Sequence, residues 1–251
     1  MPFSVIGFTE SQDSAVLVEI AAMADGQHVA VSGDDVFVPG FANNLVGYHF
    51  MGANFTQGQI GSPSMRSQLY IDVEPADVAD EPGSPPAVHM FPESPIALDV
   101  NEGLRTYMAE DNAAASRVTA FLWLSTGVIT RLTGVTYTVR ATGATTLGAN
   151  VWTNGSLTFA QTLRAGRYQV VGLRAQSAGL RSARLVFPGQ ATYRPGVPGC
   201  DADGDIQPDI FRRGGLGVFG EFDSRLPPSV DYASASADTA EVLHIDVIAP
   251  A

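Results

Sequence analysis

Apolar and polar side chains alternate along much of this chain, and the alternation favours β-strands. In the segment VLHIDVI, Leu243, Ile245 and Val247 form an apolar face, whereas His244 and Asp246 belong to the opposite face. Because successive side chains of a strand point to opposite sides of a sheet, such a segment is predicted to lie on a hydrophobic core. The segments with strand character are Phe3–Phe8, Val16–Ala22, His28–Ser32, Val46–Met51, Gln68–Val73, Ile96–Val100, Leu104–Ala109, Arg117–Leu124, Thr136–Arg140, Val151–Thr153, Leu157–Ala160, Arg167–Ala175, Ala183–Phe187 and Val242–Ile248, with weaker candidates at Gly217–Phe222 and Ser229–Tyr232.

Closely spaced strands joined by turns rich in Gly, Pro, Asn and Asp predict an all-β protein built as an antiparallel β-sandwich. Two long stretches, Glu74–Pro95 and Pro188–Pro228, interrupt the pattern and are rich in proline. Proline lacks the N–H group that a central strand donates, so both stretches are predicted to be irregular. Because bare sheet edges invite unwanted pairing, we expect at least one of the stretches to cover an edge or a neighbouring subunit.

The charge of the chain limits its partners. It has 26 acidic and 14 basic residues and a net charge of −12, and every basic residue is Arg. A protein that coats nucleic acid needs a basic surface, so the composition argues against that class. Charged residues make up only 16% of the chain. A surface poor in charge and provided with Arg suits burial against other subunits, and it equally suits a proteome biased towards Ala, Gly and Arg.

The cellular setting follows from three absences in the sequence. Cys200 is the only cysteine, so no disulfide forms within the chain. The opening residues MPFSVIGFTESQDS have no basic region followed by an apolar run, and therefore do not resemble a signal peptide. No apolar stretch reaches the roughly 18 residues that a membrane-spanning helix needs. We expect synthesis and folding in a cytoplasm, without a membrane-spanning segment.

A calcium site is the metal centre that the sequence favours most. Asp201, Asp203 and Asp205 alternate along one turn, and Asp209 follows four residues later. Carboxylates in such a loop can converge on Ca²⁺, which binds about six to eight oxygen atoms. The pattern departs from the EF-hand loop, because Gly204 stands at position four and Arg212 at position twelve. The four aspartates are therefore either calcium ligands or a solvated acidic turn.

The sequence contains no recognisable catalytic motif. Patterns such as HExxH, GxSxG and CxxC are absent, and the glycines of Arg213–Gly217 lack the GK[ST] ending of a phosphate-binding loop. His244 and Asp246 share a strand face and could pair. The acidic residues after Cys200 are expected to raise its pKa, which is the opposite of what a nucleophile needs. We therefore expect no enzyme.

The two tryptophans have different surroundings in the sequence. Trp123 lies in the apolar run FLWL and is predicted to be in the core. Trp152, in ANVWTNG, is flanked by polar turn residues. It is either part of the core, part of a subunit contact, or an exposed ring on which a sugar could stack.

Several segments together resemble the coat proteins of icosahedral, tailless phages. These segments are RVTAFLWL, VTYTVRATG, ANVWTNGSLTF, LRAGRYQVVGLRAQSAGLRSARLVFPGQ and EVLHIDVI, within about residues 105–251. The resemblance implies jelly-roll sandwiches of eight strands. It also implies a virion protein made in the host cytoplasm, which contacts copies of itself and other virion proteins.

The number of strand candidates favours two jelly rolls in one chain, with residues 1–127 forming the first and residues 128–251 the second. One jelly roll with long loops is the alternative, because the two proline-rich stretches leave little chain for sixteen strands. Proteins with two jelly rolls typically form pseudo-hexagonal trimers, so the resemblance implies a homotrimer or a larger shell.

Three functions remain open at this point. The first is a structural subunit of a viral capsid that self-assembles into an icosahedral shell. The second is a carbohydrate-binding β-sandwich of a fibre or cell-surface protein, which would use Trp152 and calcium bound at Asp201–Asp209. The third and least favoured is a β-sandwich hydrolase.

Overall fold

The computed structural model describes residues 2–25, 28–65, 71–73, 77, 81–111, 114–134, 136–190, 192–201, 204–237 and 241–249. Over these residues the protein is built almost entirely from strands, and all pairings between them are antiparallel. Two short 3-10 helices, Pro63–Met65 and Asp209–Phe211, are the helical elements of the described chain. The fold class predicted from the alternation of side chains is therefore confirmed.

The first half of the chain contributes a β-sandwich of two sheets. Its strands are β1 (Phe3–Gln12), β2 (Val18–Ile20), β3 (Val31–Ser32), β4 (Asp35–Phe37), β5 (Asn44–Gly52), β6 (Phe55–Gly61), β7 (Ile71–Val73), β8 (His89–Met90), β9 (Ile96–Ala97), β10 (Gly103–Glu110) and β11 (Ser116–Ser125). One sheet has the order β1-β11-β5-β8, with β9 also on β5, and the other has the order β3-β4-β10-β6-β7, with β2 also on β10.

The pairing within this N-terminal sandwich is nested. The first strand, β1, pairs with the last, β11, so that Phe3 lies opposite Ser125. Moving inwards along the chain, β2 and β4 pair with β10, β5 pairs with β8 and β9, and β6 pairs with β7. A long hairpin rolled up in this way is the connectivity of a jelly roll.

The second half repeats the same connectivity. Its strands are β12 (Tyr137–Ala144), β13 (Trp152–Phe159), β14 (Arg167–Gln176), β15 (Leu180–Val186), β16 (Gly196–Pro198), β17 (Gly220–Asp223), β18 (Ser229–Ser234) and β19 (Val242–Ile248). Again the first pairs with the last, β12 with β19, followed by β13 with β18, β14 with β17 and β15 with β16. The strands of this C-terminal sandwich follow in the order β16-β15-β18-β13-β12-β19-β14-β17.

The sheet β1-β11-β5 lies between two hydrophobic cores. Along β11, Leu122 and Leu124 pack into the core of the N-terminal sandwich, whereas Phe121 and Trp123 pack into the core that continues through the C-terminal sandwich. All four side chains are buried. A sheet covered on both faces needs apolar residues at every position, which explains the uninterrupted run FLWL. The predicted core position of Trp123 is confirmed.

The described part of the Pro188–Pro228 stretch is mostly irregular, as predicted, but it is not a solvent-exposed loop. It contributes β16 and β17, and it places Phe211, Leu216 and Phe219 fully inside the core. Gly214 has a positive φ of 82°, and a Cβ there would lie 2.4 Å from the carbonyl oxygen of Leu132. Glycine and proline here permit tight packing rather than exposure to solvent.

The described part of Glu74–Pro95 covers a sheet edge, as expected. His89 and Met90 form β8 on the outer side of β5. Asp77 extends the same edge, because its carbonyl oxygen accepts a hydrogen bond from the N–H of Gly52 at 3.2 Å. The backbone of β5 is therefore paired on both sides.

Candidate functional site

The aspartates predicted to bind calcium have separate structural surroundings. Asp201 accepts a hydrogen bond from the backbone N–H of Gly179 at 2.6 Å, and the carbonyl oxygen of Asp205 accepts one from Arg174 at 3.3 Å. Asp209 begins a 3-10 helix, and Asp203 lies outside the described residues. Within the described ranges, no three His, Cys, Asp or Glu side chains come together as metal ligands. Calcium binding at this loop stays a prediction.

Cys200 is a buried thiol. Its sulfur lies 3.4 Å from the Gln207 side-chain oxygen. Burial raises the pKa of Cys200 to about 11. The direction agrees with the sequence prediction, but burial rather than the neighbouring acidic residues is the main cause. A thiol with such a pKa is a poor nucleophile at neutral pH.

Asp246 forms an ion pair with Arg212 rather than the pair with His244 that the sequence suggested. Arg212 donates two hydrogen bonds to its carboxylate, at 2.7 and 2.9 Å, and Thr138 donates a third at 2.6 Å. Burial alone raises the pKa of Asp246, but the hydrogen bonds from Arg212 and Thr138 outweigh it and hold the pKa below its usual value. This arrangement fixes Arg212 to β19 and does not provide a free base.

The largest concentration of buried charge lies between the two sandwiches. We call Asp25, His28, Arg184, Arg194 and Asp231 the junction cluster. Arg184, on β15, donates to both carboxylate oxygens of Asp25 at 2.6 Å and to Asp231, on β18, at 3.0 Å. Asp25 and His28 belong to the connection between β2 and β3 of the N-terminal sandwich, so the cluster joins both halves of the protein.

Further hydrogen bonds around the cluster cross between the halves, and one links Ser4 to His28 within the N-terminal half. The guanidinium of Arg184 donates to the carbonyl oxygen of Val5 at 2.9 Å. The N–H of Val5 in turn donates to the carbonyl oxygen of Arg194 at 2.9 Å, and the N–H of Arg194 donates to the hydroxyl of Ser4 at 3.0 Å. This hydroxyl lies 3.2 Å from Nε2 of His28. Hydrogen bonds of this kind satisfy the charges that would otherwise be costly to bury.

The electrostatics of the cluster follow from its burial. Burial lowers the pKa of His28, and the neighbouring Arg184 and Arg194 lower it further, against the opposing effect of Asp25. Burial raises the pKa of Asp25, but hydrogen bonds from His28 and Arg184 outweigh it, so that the pKa lies below its usual value. At neutral pH, Asp25 is therefore ionised and His28 is neutral.

A cavity of about 330 Å³ adjoins the junction cluster, and Trp152 forms part of its wall. The guanidinium of Arg184 stacks on Trp152, with its central carbon 3.9 Å from the ring centroid. Phe121 contacts the same ring edge-on, at 5.8 Å between centroids. One face of Trp152 is thus covered by a cation, which is a favourable contact for an indole ring and leaves less of the ring for a sugar.

Sequence reasoning did not find the junction cluster. Asp25 and Arg184 are 159 positions apart, and no local motif joins them. The use of Arg as the only basic residue is the one signal that pointed to buried ion pairs, because its planar group can pair with two carboxylates. The Arg residues near positions 164–184 do not form a single basic patch, since Arg181 and Arg184 are buried.

The geometry defines a protein of two jelly-roll sandwiches, with a buried ionic junction between them. A comparison with solved structures finds the major capsid protein P2 from bacteriophage PM2, at 11% sequence identity and a TM-score of 0.28. The match covers 99% of this chain and 98% of that chain. At this identity and TM-score, no residue or contact is carried over.

No protein-family model matches the chain, and no curated protein matches it. Over the described residues, no helix is long and apolar enough to cross a membrane.

Proposed function

We propose that this protein is a structural subunit of a viral capsid, which self-assembles through contacts between copies of itself into an icosahedral shell. In this proposal the protein is a component of the virion, is made in the host cytoplasm, and has no catalytic role. The observation that carries the proposal is the tandem arrangement of two jelly rolls in one chain.

Two similar sandwiches in one chain give a subunit an approximate internal symmetry. A boundary between residues 127 and 128 is part of this proposal, and its support is that strands β1–β11 pair among themselves and so do β12–β19 within the described chain. A homotrimer of such chains presents six sandwiches around one axis. A roughly hexagonal unit of this kind can tile a closed surface, which is the physical reason to expect a homotrimer.

Rigidity also supports a structural role. The sheet β1-β11-β5 is buried on both faces, and buried ion pairs join the sandwiches across the junction cluster. A shell subunit must hold the angle between its parts in order to repeat the same contacts, and close packing supplies that stiffness. Contacts with other virion proteins, and calcium bound near Asp201, Asp205 and Asp209, are compatible additions.

Imaging of the purified protein tests the proposal directly. We expect size-exclusion chromatography with light scattering to give a trimer or a larger species, and negative-stain electron microscopy to show particles or hexagonal sheets. A protein that remains a monomer over a hundredfold range of concentration, with no particles in any buffer, would contradict the proposal.

A second measurement separates assembly from sugar binding. Glycan-array binding that disappears in Trp152→Phe, with particles absent, would favour the carbohydrate-binding alternative. Trp152→Phe keeps an aromatic ring for Arg184 and removes the five-membered ring of the indole with its N–H, so it reduces the surface on which a sugar could stack while keeping an apolar side chain at this position.

A further inference from the structure

The junction cluster holds a titratable group at the contact between the two sandwiches. The His28 side chain is 1% exposed and that of Asp25 is 6% exposed. Nδ1 of His28 lies 3.1 Å from the Asp25 carboxylate, on the same oxygen that accepts from Arg184. Any change in the charge of His28 therefore acts directly on the ion pair that joins the halves.

The hydrogen bonds around His28 suit its neutral form. The Ser4 hydroxyl accepts from the N–H of Arg194, which leaves its own hydrogen free to donate to Nε2 of His28. Nδ1–H then donates to Asp25. A second proton on Nε2 would replace this acceptor with a donor, so that the Ser4 hydroxyl would have to turn its hydrogen away from Nε2 and lose that hydrogen's partner.

The charged groups around His28 disfavour a further positive charge on its ring. Arg184 Nη1 lies 3.5 Å from Nδ1. Arg194 adds a second positive charge on the same side. Asp25 is the facing anion, and both of its oxygens are already bound by Arg184. Asp231 lies behind Arg184, at 3.0 Å from its Nε. On the remaining side the ring meets Phe41, which contacts Tyr193.

We propose that the junction cluster is an acid-sensitive latch between the two sandwiches, in which one proton taken up by His28 loosens their contact. Protonation places three positive groups, on His28, Arg184 and Arg194, against the two carboxylates of Asp25 and Asp231 inside the protein. The repulsion between these positive groups falls when Asp25 and His28 separate from Arg184, because water can then solvate each charge.

The sign of the pH effect follows from linkage. Burial and the two arginines lower the pKa of His28 in the closed state below its ordinary value of about 6.5. The open state therefore binds more protons than the closed state once the pH falls below about 6.5. The latch contributes its full stability above that pH and loses it as the pH falls towards the lower pKa of the closed state. Asp25, whose pKa is also lowered, acts in the same direction only below its ordinary pKa of 3.8.

Hydrogen exchange of the full chain at pH 7.5 and pH 5.5 tests the latch. Exchange rates are corrected for the intrinsic effect of pH on the chemistry. The reporters are the N–H groups of Val5 and Arg194, which bond across the junction. We expect their protection to fall at pH 5.5 in the wild type, by about tenfold when the closed state stays unprotonated, because one pH unit below the open-state pKa then shifts the equilibrium by that factor. His28→Gln, which cannot titrate, is expected to show no such fall.

The matched control is His89→Gln, because His89 is exposed and lies on β8 away from the junction. This variant is expected to keep the wild-type response. An equal response in His28→Gln, or no response in the wild type, would overturn the proposal.

The wild type alone provides a second readout if His28→Gln does not fold. Histidine NMR is expected to show His28 of the closed chain titrating below its ordinary pKa, with the loss of protection at Val5 accompanying its protonation. A His28 that titrates near pH 6.5 without any change in protection at Val5 would also overturn the latch.

Discussion

Arg184 and Asp25 form a bidentate ion pair, with both nitrogen-to-oxygen distances at 2.6 Å. The arginine belongs to the C-terminal sandwich and the aspartate to the N-terminal one. Their side chains are only 2% and 6% exposed. A buried pair of this geometry fixes how two elements meet, since neither charge can leave without exposing the other to an apolar surrounding.

Asp25→Asn is expected to destabilise the protein by roughly 3 kcal/mol, because it leaves Arg184 with Asp231 as its remaining anionic partner. Unfolding in urea at pH 7.5, followed by circular dichroism, measures the change in the free energy of unfolding. The control is Asp223→Asn in the exposed pair of Asp223 with Arg225, which should leave the unfolding midpoint nearly unchanged. Equal losses in the two variants would show that the junction pair has no special weight.

Phe121→Ala is expected to cost about 3–5 kcal/mol, because it opens a cavity beside a sheet that is packed on both faces. Tyr137→Ala removes another aromatic ring from a strand, but this ring is 57% exposed. Its effect should be well under half of that at Phe121. Thermal and urea unfolding of both variants give the comparison, and a similar loss at the two positions would contradict the double burial of β11.

Gly214→Ala is expected to destabilise by about 1–2 kcal/mol through its backbone conformation and by about 1–3 kcal/mol through overpacking. Gly33→Ala is the matched control, because φ is +62° there but no atom lies within 4 Å of the added Cβ. It should show the backbone effect alone. If both variants lose the same stability, the approach of Gly214 to Leu132 is not tight in solution.

Cys200 is expected to react slowly with a thiol reagent such as Ellman's reagent while the protein is folded. With a pKa of about 11, its thiolate fraction at pH 8 is smaller than that of a free cysteine by a factor of roughly one hundred or more. Burial of the sulfur slows the reaction further. Labelling rates in buffer and in urea at pH 8 measure the ratio, and rapid labelling in buffer would contradict the burial of Cys200.

The alternation of side chains was enough to predict the fold class and most of the strands. It succeeded where a strand has one apolar face, as in β19, or two, as in β11. It missed β6, whose sequence FTQGQIG has few apolar residues, and the short strands β4, β8 and β16. It also divided β13 into two candidates at Asn154 and Gly155, although the strand continues through both.

The composition of Pro188–Pro228 does not reveal how much of this stretch is buried. Glycine and proline are common in exposed turns, but Gly199 here lies so close to Leu180 that a Cβ would stand 2.0 Å from its carbonyl oxygen. Such contacts depend on which strands meet in space, and nearby residues in the sequence do not report them. The junction cluster could not be predicted from the sequence either, because its carboxylates and guanidinium groups come from distant parts of the chain.

The pairing of β1 with β11 sets an order for synthesis. Phe3 leaves the ribosome well before its partner Ser125, so the sheet of β1 and β11 cannot close until β11 has been made. The hydrogen bond of Val5 forms later still, because its N–H donates to the carbonyl oxygen of Arg194 in the C-terminal sandwich. Pairing between ends that are far apart is slow, and it leaves early strands open to other chains. Until these partners have been made, β1 of a nascent chain can therefore pair with a strand of another chain unless a chaperone covers it.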